Sequence, residues 1–178
     1  MSRTFRFVAI LLLAGSVFGV VGTAAAQSSS GGSGSGQDNV DVTTYSDWEV
    51  RCPQSGNQQQ CEMTQLVESP DTGKPIMRVV MGYPPQIDTP AMIFILPLGT
   101  RLSPGVQLSV DGDQARRFPF QICLEQGCRA DFPIKNTLLR KLQGGRTAQV
   151  TIVGPQGDQI NLNISLSGFT DANNAISQ

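Results

Sequence analysis

Residues 160–167 read INLNISLS, in which every second side chain is apolar. This alternation places Ile160, Leu162 and Ile164 on one face of an extended strand and polar side chains on the other. A strand that buries one face and exposes the other is typical of an antiparallel sheet. The segment therefore predicts a half-buried antiparallel strand.

The same period of two recurs elsewhere in the chain. Trp48, Val50 and Cys52 alternate with charged residues, and the alternating run 106–110 leads into Asp111-Gly112, a strong signal for a short hairpin turn. The continuous apolar run 91–96 is typical of a strand buried on both faces. Many short strands separated by Gly and Pro predict an all-β fold, either an antiparallel β-sandwich or a related barrel.

One short helix is expected at about residues 136–143. Asn136 can cap its N-terminus, Leu138 and Leu142 lie on one apolar stripe, and Gly144 can end it. A helix of this length is not stable alone, so its leucines must pack on the sheet. Residues 171–178 are expected to form a C-terminal tail.

The four cysteines fall into two local pairs, Cys52 with Cys61 and Cys123 with Cys128. In an exported chain an even number of cysteines favours disulfides, and this pairing is favoured among the three possible because each bridge closes a short loop. A zinc site with all four cysteines is the alternative, but the spacer between Cys52 and Cys61 is too long for a zinc knuckle. A redox pair would need Cys-x-x-Cys, and neither pair has that spacing. Two structural bridges are therefore predicted.

The second pair raises a problem of strand phase. In one continuous strand Phe118, Phe120 and Ile122 would share a face and place Cys123 on the opposite one, whereas Cys128 shares the face of the apolar residues that follow it. A regular hairpin through both cysteines would then mix core and solvent faces. We therefore predict a bulge or an irregular loop near residues 124–127.

The N-terminal residues have the features of an export signal. Arg3 and Arg6 precede an apolar run, and small residues at 23–26 predict a signal peptide over residues 1–26, cleaved between Ala26 and Gln27. The run is short of the ~20 apolar residues of a membrane span, and the mature chain is expected to contain no integral membrane segment. The Gly/Ser-rich residues 27–39 predict a flexible linker. Residues 40–170 are long enough for a single domain, in a periplasmic or secreted protein.

The chain contains no histidine, which excludes Ser-His-Asp and Cys-His catalysis and histidine-ligated metals. Its close acidic pairs, Asp47 with Glu49 and Asp111 with Asp113, suit the polar face of a strand and a turn. Glycosidase chemistry would need the fold to bring carboxylates together. No catalytic residue, metal site or cofactor is therefore predicted.

Charge is distributed unevenly, although the net charge is only −1. Residues 114–146, which we call the basic segment, contain seven basic residues: Arg116, Arg117, Arg129, Lys135, Arg140, Lys141 and Arg146. They predict a patch for an anionic partner such as a surface polysaccharide, a lipid headgroup or an acidic protein. Alternatively, the fold intersperses them with the acidic residues as ordinary solvated surface. Nucleic acid is not expected as a partner in this compartment.

Several motifs resemble those of the invasion-associated locus B family of bacterial exported proteins. They are WEVRC at 48–52, LPLGTRL at 96–102, CLEQGCRA at 123–130 and SLSGF at 165–169. The resemblance covers essentially the whole domain and implies a small, disulfide-bonded periplasmic or secreted protein, associated in some members with host-cell entry. It implies no catalytic residues.

The function predicted is a non-enzymatic binding or accessory module of the bacterial envelope. The alternatives are an envelope hydrolase that uses no histidine and a structural protein that self-associates through an edge strand. An enzyme should have a concave pocket with converging polar groups and perturbed pKa values. A binding module should instead expose a basic or apolar patch.

Overall fold

The computed structural model describes residues 40–54 and 61–177. The predicted signal peptide, its cleavage site between Ala26 and Gln27, and the predicted linker over residues 27–39 lie outside the described residues. The described elements are β1 (Val40–Tyr45), β2 (Trp48–Pro53), β3 (Glu62–Glu68), β4 (Pro75–Gly82), β5 (Ala91–Leu96), β6 (Val106–Val110), β7 (Arg116–Phe118), β8 (Ile122–Leu124), β9 (Gly127–Pro133), α1 (Asn136–Gly144), β10 (Thr147–Val153), β11 (Gln159–Ser165) and α2 (Phe169–Ile176). None of the described helices is long and apolar enough to span a membrane.

The strands form two antiparallel sheets that pack as a β-sandwich, which confirms the predicted fold class. The first sheet has the order β1-β2-β3-β4-β5-β9-β8 and the second the order β11-β10-β6-β7. Alternate apolar side chains from each sheet meet in one core. The core is rich in methionine, since Met63, Met77, Met81 and Met92 are all buried in it. Methionine is flexible enough to fill irregular gaps between facing sheets.

The alternating segment around residues 160–167 lies in β11 as expected. Leu162 and Ile164 are fully buried, whereas Asn161 and Asn163 are exposed. The run 91–96 is β5, but only one of its faces is fully buried, and Ile93 on the other face is half-buried. Its outer face was therefore predicted wrongly, because a continuous apolar run does not reveal whether a second layer covers a sheet.

The predicted hairpin turn at Asp111-Gly112 is confirmed. Both residues have positive φ, 47° and 80°, as a tight hairpin turn requires, and β6 pairs with β7 on either side of it. The first predicted helix is also confirmed as α1, with Leu138 and Leu142 buried. Its N-cap is Lys135 rather than Asn136, and the cap makes no side-chain hydrogen bond.

A second helix, α2, occupies most of the segment that the sequence predicted to be a tail. Phe169, Ala172 and Ile176 are buried on one face of this helix, with the spacing of an amphipathic helix. The Phe169 ring packs edge-to-face on Trp48, with ring centroids 5.3 Å apart. The domain therefore extends to the end of α2, and the tail prediction is corrected.

Gly168 allows α2 to start where it does. It has a φ of 81°, and a Cβ atom there would lie 2.0 Å from the carbonyl oxygen of Tyr45. Only glycine combines that backbone conformation with so close an approach. The glycine therefore lets the β1–β2 turn pack against the start of the helix.

The two disulfides have the predicted local pairing. Cys123 is paired with Cys128 across the β8–β9 ladder, with Cα atoms 3.9 Å apart. Cys52 and Cys61 are bridged at the end of the β2–β3 ladder, with Cα atoms 4.2 Å apart, and both pack against the core. Each bridge therefore joins residues that face each other on adjacent strands.

The predicted bulge or irregular loop at residues 124–127 is wrong. The β8–β9 ladder is regular through both cysteines, and a two-residue turn joins Leu124 to Gly127. The irregularity lies at Gln121, whose backbone N–H donates to the Arg129 carbonyl at 2.8 Å while Ile122 is also the ladder partner of Arg129. Two residues against one is the arrangement of a β-bulge.

The predicted phase of Cys123 is wrong because the chain passes from one sheet to the other before β8. Phe118 ends β7 in the second sheet, and Ile122 begins β8 in the first. A period of two cannot be counted through such a crossing, so Phe118 and Ile122 need not share a face. All three residues of β8 are exposed at the edge of the sheet, which removes the predicted conflict between core and solvent faces.

Candidate binding site

The structure distributes the basic segment over several elements. Arg116 and Arg117 lie on β7, which pairs with β6, and Arg129 lies on β9. Arg140 and Lys141 lie on α1, which packs against α2, and the two remaining basic residues, Lys135 and Arg146, flank that helix. The basic segment therefore spans β7, β9 and α1 with its flanks, and the single patch stays a prediction.

Acidic side chains neutralise part of the basic segment. Arg129 donates to Asp131, with Nη2 and Oδ2 2.7 Å apart, and Lys141 forms an ion pair with Asp113. The alternative of ordinary interspersed charge therefore holds for these two residues.

Five side chains of the basic segment form no ion pair within the described part of the chain. They are Arg116, Arg117, Lys135, Arg140 and Arg146, and all five are exposed. Because an exposed cation with no ion-pair partner can bind an external anion without breaking an existing ion pair, these residues are the part of the basic segment that is available to a partner.

A groove of about 560 Å³ lies beside β7. It is lined by residues 102–105 and 117–123. Phe118 and Phe120 are half-buried in its wall, and Leu102 and Ile122 are 47% and 49% exposed. Arg117 also lines it, so the groove combines apolar side chains with one cation.

The wall of this groove is fixed by packing. The Phe118 ring stacks on the ring of Phe132 in the core, with centroids 3.7 Å apart. At Gly105 the φ is 70° and a Cβ atom would lie 2.5 Å from the Phe118 carbonyl oxygen. The loop before β6 therefore approaches β7 closely because residue 105 is glycine, and the groove exists before any ligand arrives.

The acidic pairs considered for catalysis have structural roles. Asp111 accepts hydrogen bonds from the backbone N–H groups of Thr147 at 2.9 Å and Arg146 at 3.0 Å. These bonds, the one from Thr147 foremost, hold the pKa of Asp111 below its ordinary value. Asp113 is the partner of Lys141, so neither carboxylate of this pair is poised for catalysis.

The other acidic pair is also engaged. Glu49 pairs with Arg51 at 2.9 Å, and Asp47 accepts from the hydroxyl of Ser165 at 2.5 Å. Among the described residues, Tyr83 also has a perturbed pKa, which burial raises, and its hydroxyl donates to Asn173 of α2 at 2.9 Å. That contact ties α2 to the end of β4.

A second groove of about 550 Å³ lies on the outer face of the first sheet. Its lining includes Leu66, Ile76 and Ile95, with one cation, Arg78. It borders central strands that are already paired on both sides, whereas the first groove borders β8 at the end of the sheet. The second groove therefore serves as a matched control for the first.

Sequence reasoning missed the apolar residues of the first groove. Phe118 and Phe120 were placed with Ile122 on one face of a continuous strand, and Leu102 carried no signal of its own. The one available signal was the sequence RRFPF at 116–120, where two arginines adjoin aromatic residues around a proline.

Comparisons with known proteins agree with the resemblance. The family model described as Invasion associated locus B (IalB) protein matches residues 48–177. The crystal structure of invasion associated protein B from Bartonella henselae superposes with a TM-score of 0.67 at 19% sequence identity, covering 76% of this chain and 94% of that one. At that identity the likeness shows a shared fold. No match was found among the curated proteins.

Proposed function

Because this chain belongs to the invasion associated locus B family, we propose that it is an exported, non-enzymatic binding module of the bacterial envelope with an anionic partner. The N-terminal sequence supports export, and the two disulfides suit an oxidising compartment, either the periplasm or the medium. Host-cell interaction is one setting in which such a module would act. The chemistry of its partner does not depend on that setting.

One observation carries the choice of an anionic partner. Arg116 and Arg117 occupy adjacent positions on β7, form no ion pair within the described residues, and adjoin the first groove, of which Arg117 is a lining residue. Cross-strand pairing puts Arg116 on the side of Leu108 and Arg117 on the side of Gln107. Since adjacent residues of a strand point to opposite faces, the two guanidinium groups present positive charge on both faces of β7.

The non-enzymatic part of the proposal is supported by what the titratable groups do. Asp47, Glu49, Asp111 and Asp113 each have a hydrogen-bond or ion-pair partner that explains their position. The two groups with perturbed pKa values, Asp111 and Tyr83, do not line the first groove. The family, moreover, is not a known enzyme family.

The test measures binding of the exported protein to a panel of anionic surfaces. Polyglutamate, polygalacturonate and vesicles containing phosphatidylglycerol are compared with neutral dextran at several salt concentrations. We expect at least one polyanion to bind, with an affinity that falls as salt rises, because exposed charges are screened. Reversing both charges with Arg116→Glu and Arg117→Glu should weaken binding by about tenfold or more.

A matched double reversal gives the control. Lys135→Glu with Arg140→Glu makes the same change of net charge at the helix rather than at β7, and it should weaken binding much less. If no polyanion binds, or if both double variants lose affinity equally, the anionic site beside β7 is disproved.

A further inference from the structure

The strand beside the first groove is an open sheet edge. β8 is the last strand of the first sheet and pairs with β9 on one side only. Its three residues are all exposed, with Ile122 at 49% and Leu124 at 50%. An exposed apolar edge of this kind is a template for pairing with another strand.

The register shows which backbone groups remain open. Leu124 and Gly127 flank a two-residue turn and so form a hydrogen-bonded pair, which makes Cys123 and Cys128 the adjacent non-hydrogen-bonded pair. Their short Cα separation of 3.9 Å agrees with that assignment. The N–H and C=O of Cys123 therefore point away from β9, toward the free side of the edge.

The edge is also held in place before a partner arrives. The disulfide ties Cys123 to β9, and the side chain of Gln121 both donates to the Asp131 carbonyl at 3.1 Å and accepts from its N–H at 3.0 Å. The Gln121 amide thus substitutes for a ladder residue at the start of β8. A preorganised edge lowers the entropy cost of pairing with a partner.

We propose that β8 is a docking edge for an extended, acidic segment of a partner protein. The segment would add a strand to the first sheet at Cys123, place an apolar side chain in the groove between Leu102 and Phe120, and set a carboxylate at Arg117. Main-chain bonds would supply affinity and the groove specificity. The inference rests on the proposed function and narrows its anionic partner to a polypeptide.

The observations favour this occupant over two others. An acyl chain could fill the groove but would leave the open N–H and C=O of Cys123 without partners. A second copy would bring the Arg117 of each copy, which lines the groove beside β8, toward the same junction, where the like charges repel. A foreign acidic strand satisfies both the backbone groups and the charge.

The test uses the exported protein and three short labelled peptides. One alternates leucine with glutamate, the second is the same peptide N-methylated throughout, and the third alternates leucine with lysine. Affinity is measured by fluorescence anisotropy, and protection of the Cys123 amide by hydrogen exchange. We expect the first peptide to bind and protect that amide, and the other two to bind at least about tenfold more weakly.

Two substitutions at the site are compared with two at the second groove. Ile122→Glu places a negative charge on the edge and Arg117→Glu reverses the charge of the groove, and each should weaken binding of the glutamate peptide by about tenfold. Leu66→Glu and Arg78→Glu make the same changes at exposed positions of the second groove and should leave the affinity within about twofold.

The other outcomes each overturn a defined part of the account. Equal binding of the N-methylated peptide would overturn strand addition but leave an anionic partner in place. If the protein bound anionic vesicles or polysaccharide but neither glutamate peptide, strand addition would again be overturned and an anionic partner would remain. Protection of the Cys123 amide that depends on protein concentration would assign the edge to a second copy. Equal binding of the lysine peptide would overturn the proposed function itself.

Discussion

Replacing Phe169 with alanine tests the placement of α2 in the core. The Phe169 side chain is fully buried and packs edge-to-face on Trp48 with ring centroids 5.3 Å apart. A buried Phe→Ala change leaves a cavity and lowers the free energy of unfolding by about 3–5 kcal/mol. We expect a value near the upper end of that range, because the aromatic pair is lost as well.

Urea denaturation followed by fluorescence measures this change directly. Trp48 is the only tryptophan and is buried, so its emission reports unfolding of the core. The urea midpoint should fall with little change in the slope of the free energy against urea concentration, and the melting temperature should drop by roughly 15–20 °C. Asn174→Ala, at an exposed position of the same helix, should change stability by at most about 0.5 kcal/mol. If Phe169→Ala lowered the free energy of unfolding as little as Asn174→Ala does, the docking of α2 in the core would be refuted.

Three further predictions concern the bridges and the two perturbed groups. Replacing Cys123 and Cys128 with serine should lower the free energy of unfolding by about 2 kcal/mol, since the bridge closes a short loop; an unchanged urea midpoint would contradict this. Because the pKa of Asp111 is lower in the folded state, its charge stabilises the fold above the ordinary value of 3.8, and this contribution is lost as the pH falls. Asp111→Asn should therefore be less stable than wild type at neutral pH, with a difference that narrows below about pH 4 in urea titrations; a constant difference would count against this role. Because burial raises the pKa of Tyr83, its contribution is present below the ordinary value of 10.0 and is lost as the pH rises. Tyr83→Phe should reduce the fall in the free energy of unfolding above about pH 10. If the variant lost stability with pH as wild type does, burial of Tyr83 would not be a cause of the alkaline loss.

Local patterns predicted most of the fold. The alternation in β11, the turn at Asp111-Gly112 and the leucine stripe of α1 each depend on near neighbours in the chain, and all three are present. The two disulfides followed from spacing because each joins facing residues of adjacent strands.

The errors arose where the outcome depends on contacts distant in the chain. The phase of Cys123 was counted through residues 119–121, where the chain crosses between sheets. Pro119 is the local signal against one continuous strand there, but it does not show that the next strand joins the other sheet. The helix at 169–176 is short, so its stability depends on the packing of Phe169 against Trp48, which is distant in the chain. Composition alone therefore did not show that residues 171–176 belong to a helix rather than to a C-terminal tail.

The candidate site was predicted only in part. Sequence identified the excess of basic residues but could not show that Asp113 neutralises Lys141, because that pairing depends on the position of α1 beside the β6–β7 turn. Arg129 and Asp131 are two residues apart on β9, so their ion pair follows from strand alternation and could have been predicted. The groove was not predictable, because it forms where a loop, a strand end and a sheet edge meet.

Chemical-shift mapping with polyglutamate tests the central claim most directly. The backbone amides of the exported protein are assigned, and their shifts are followed as the polyanion is added at low salt. The account predicts that the largest changes fall in residues 102–105 and 117–123, around the first groove. Changes centred on α1 or on the second groove, with none beside β7, would contradict it.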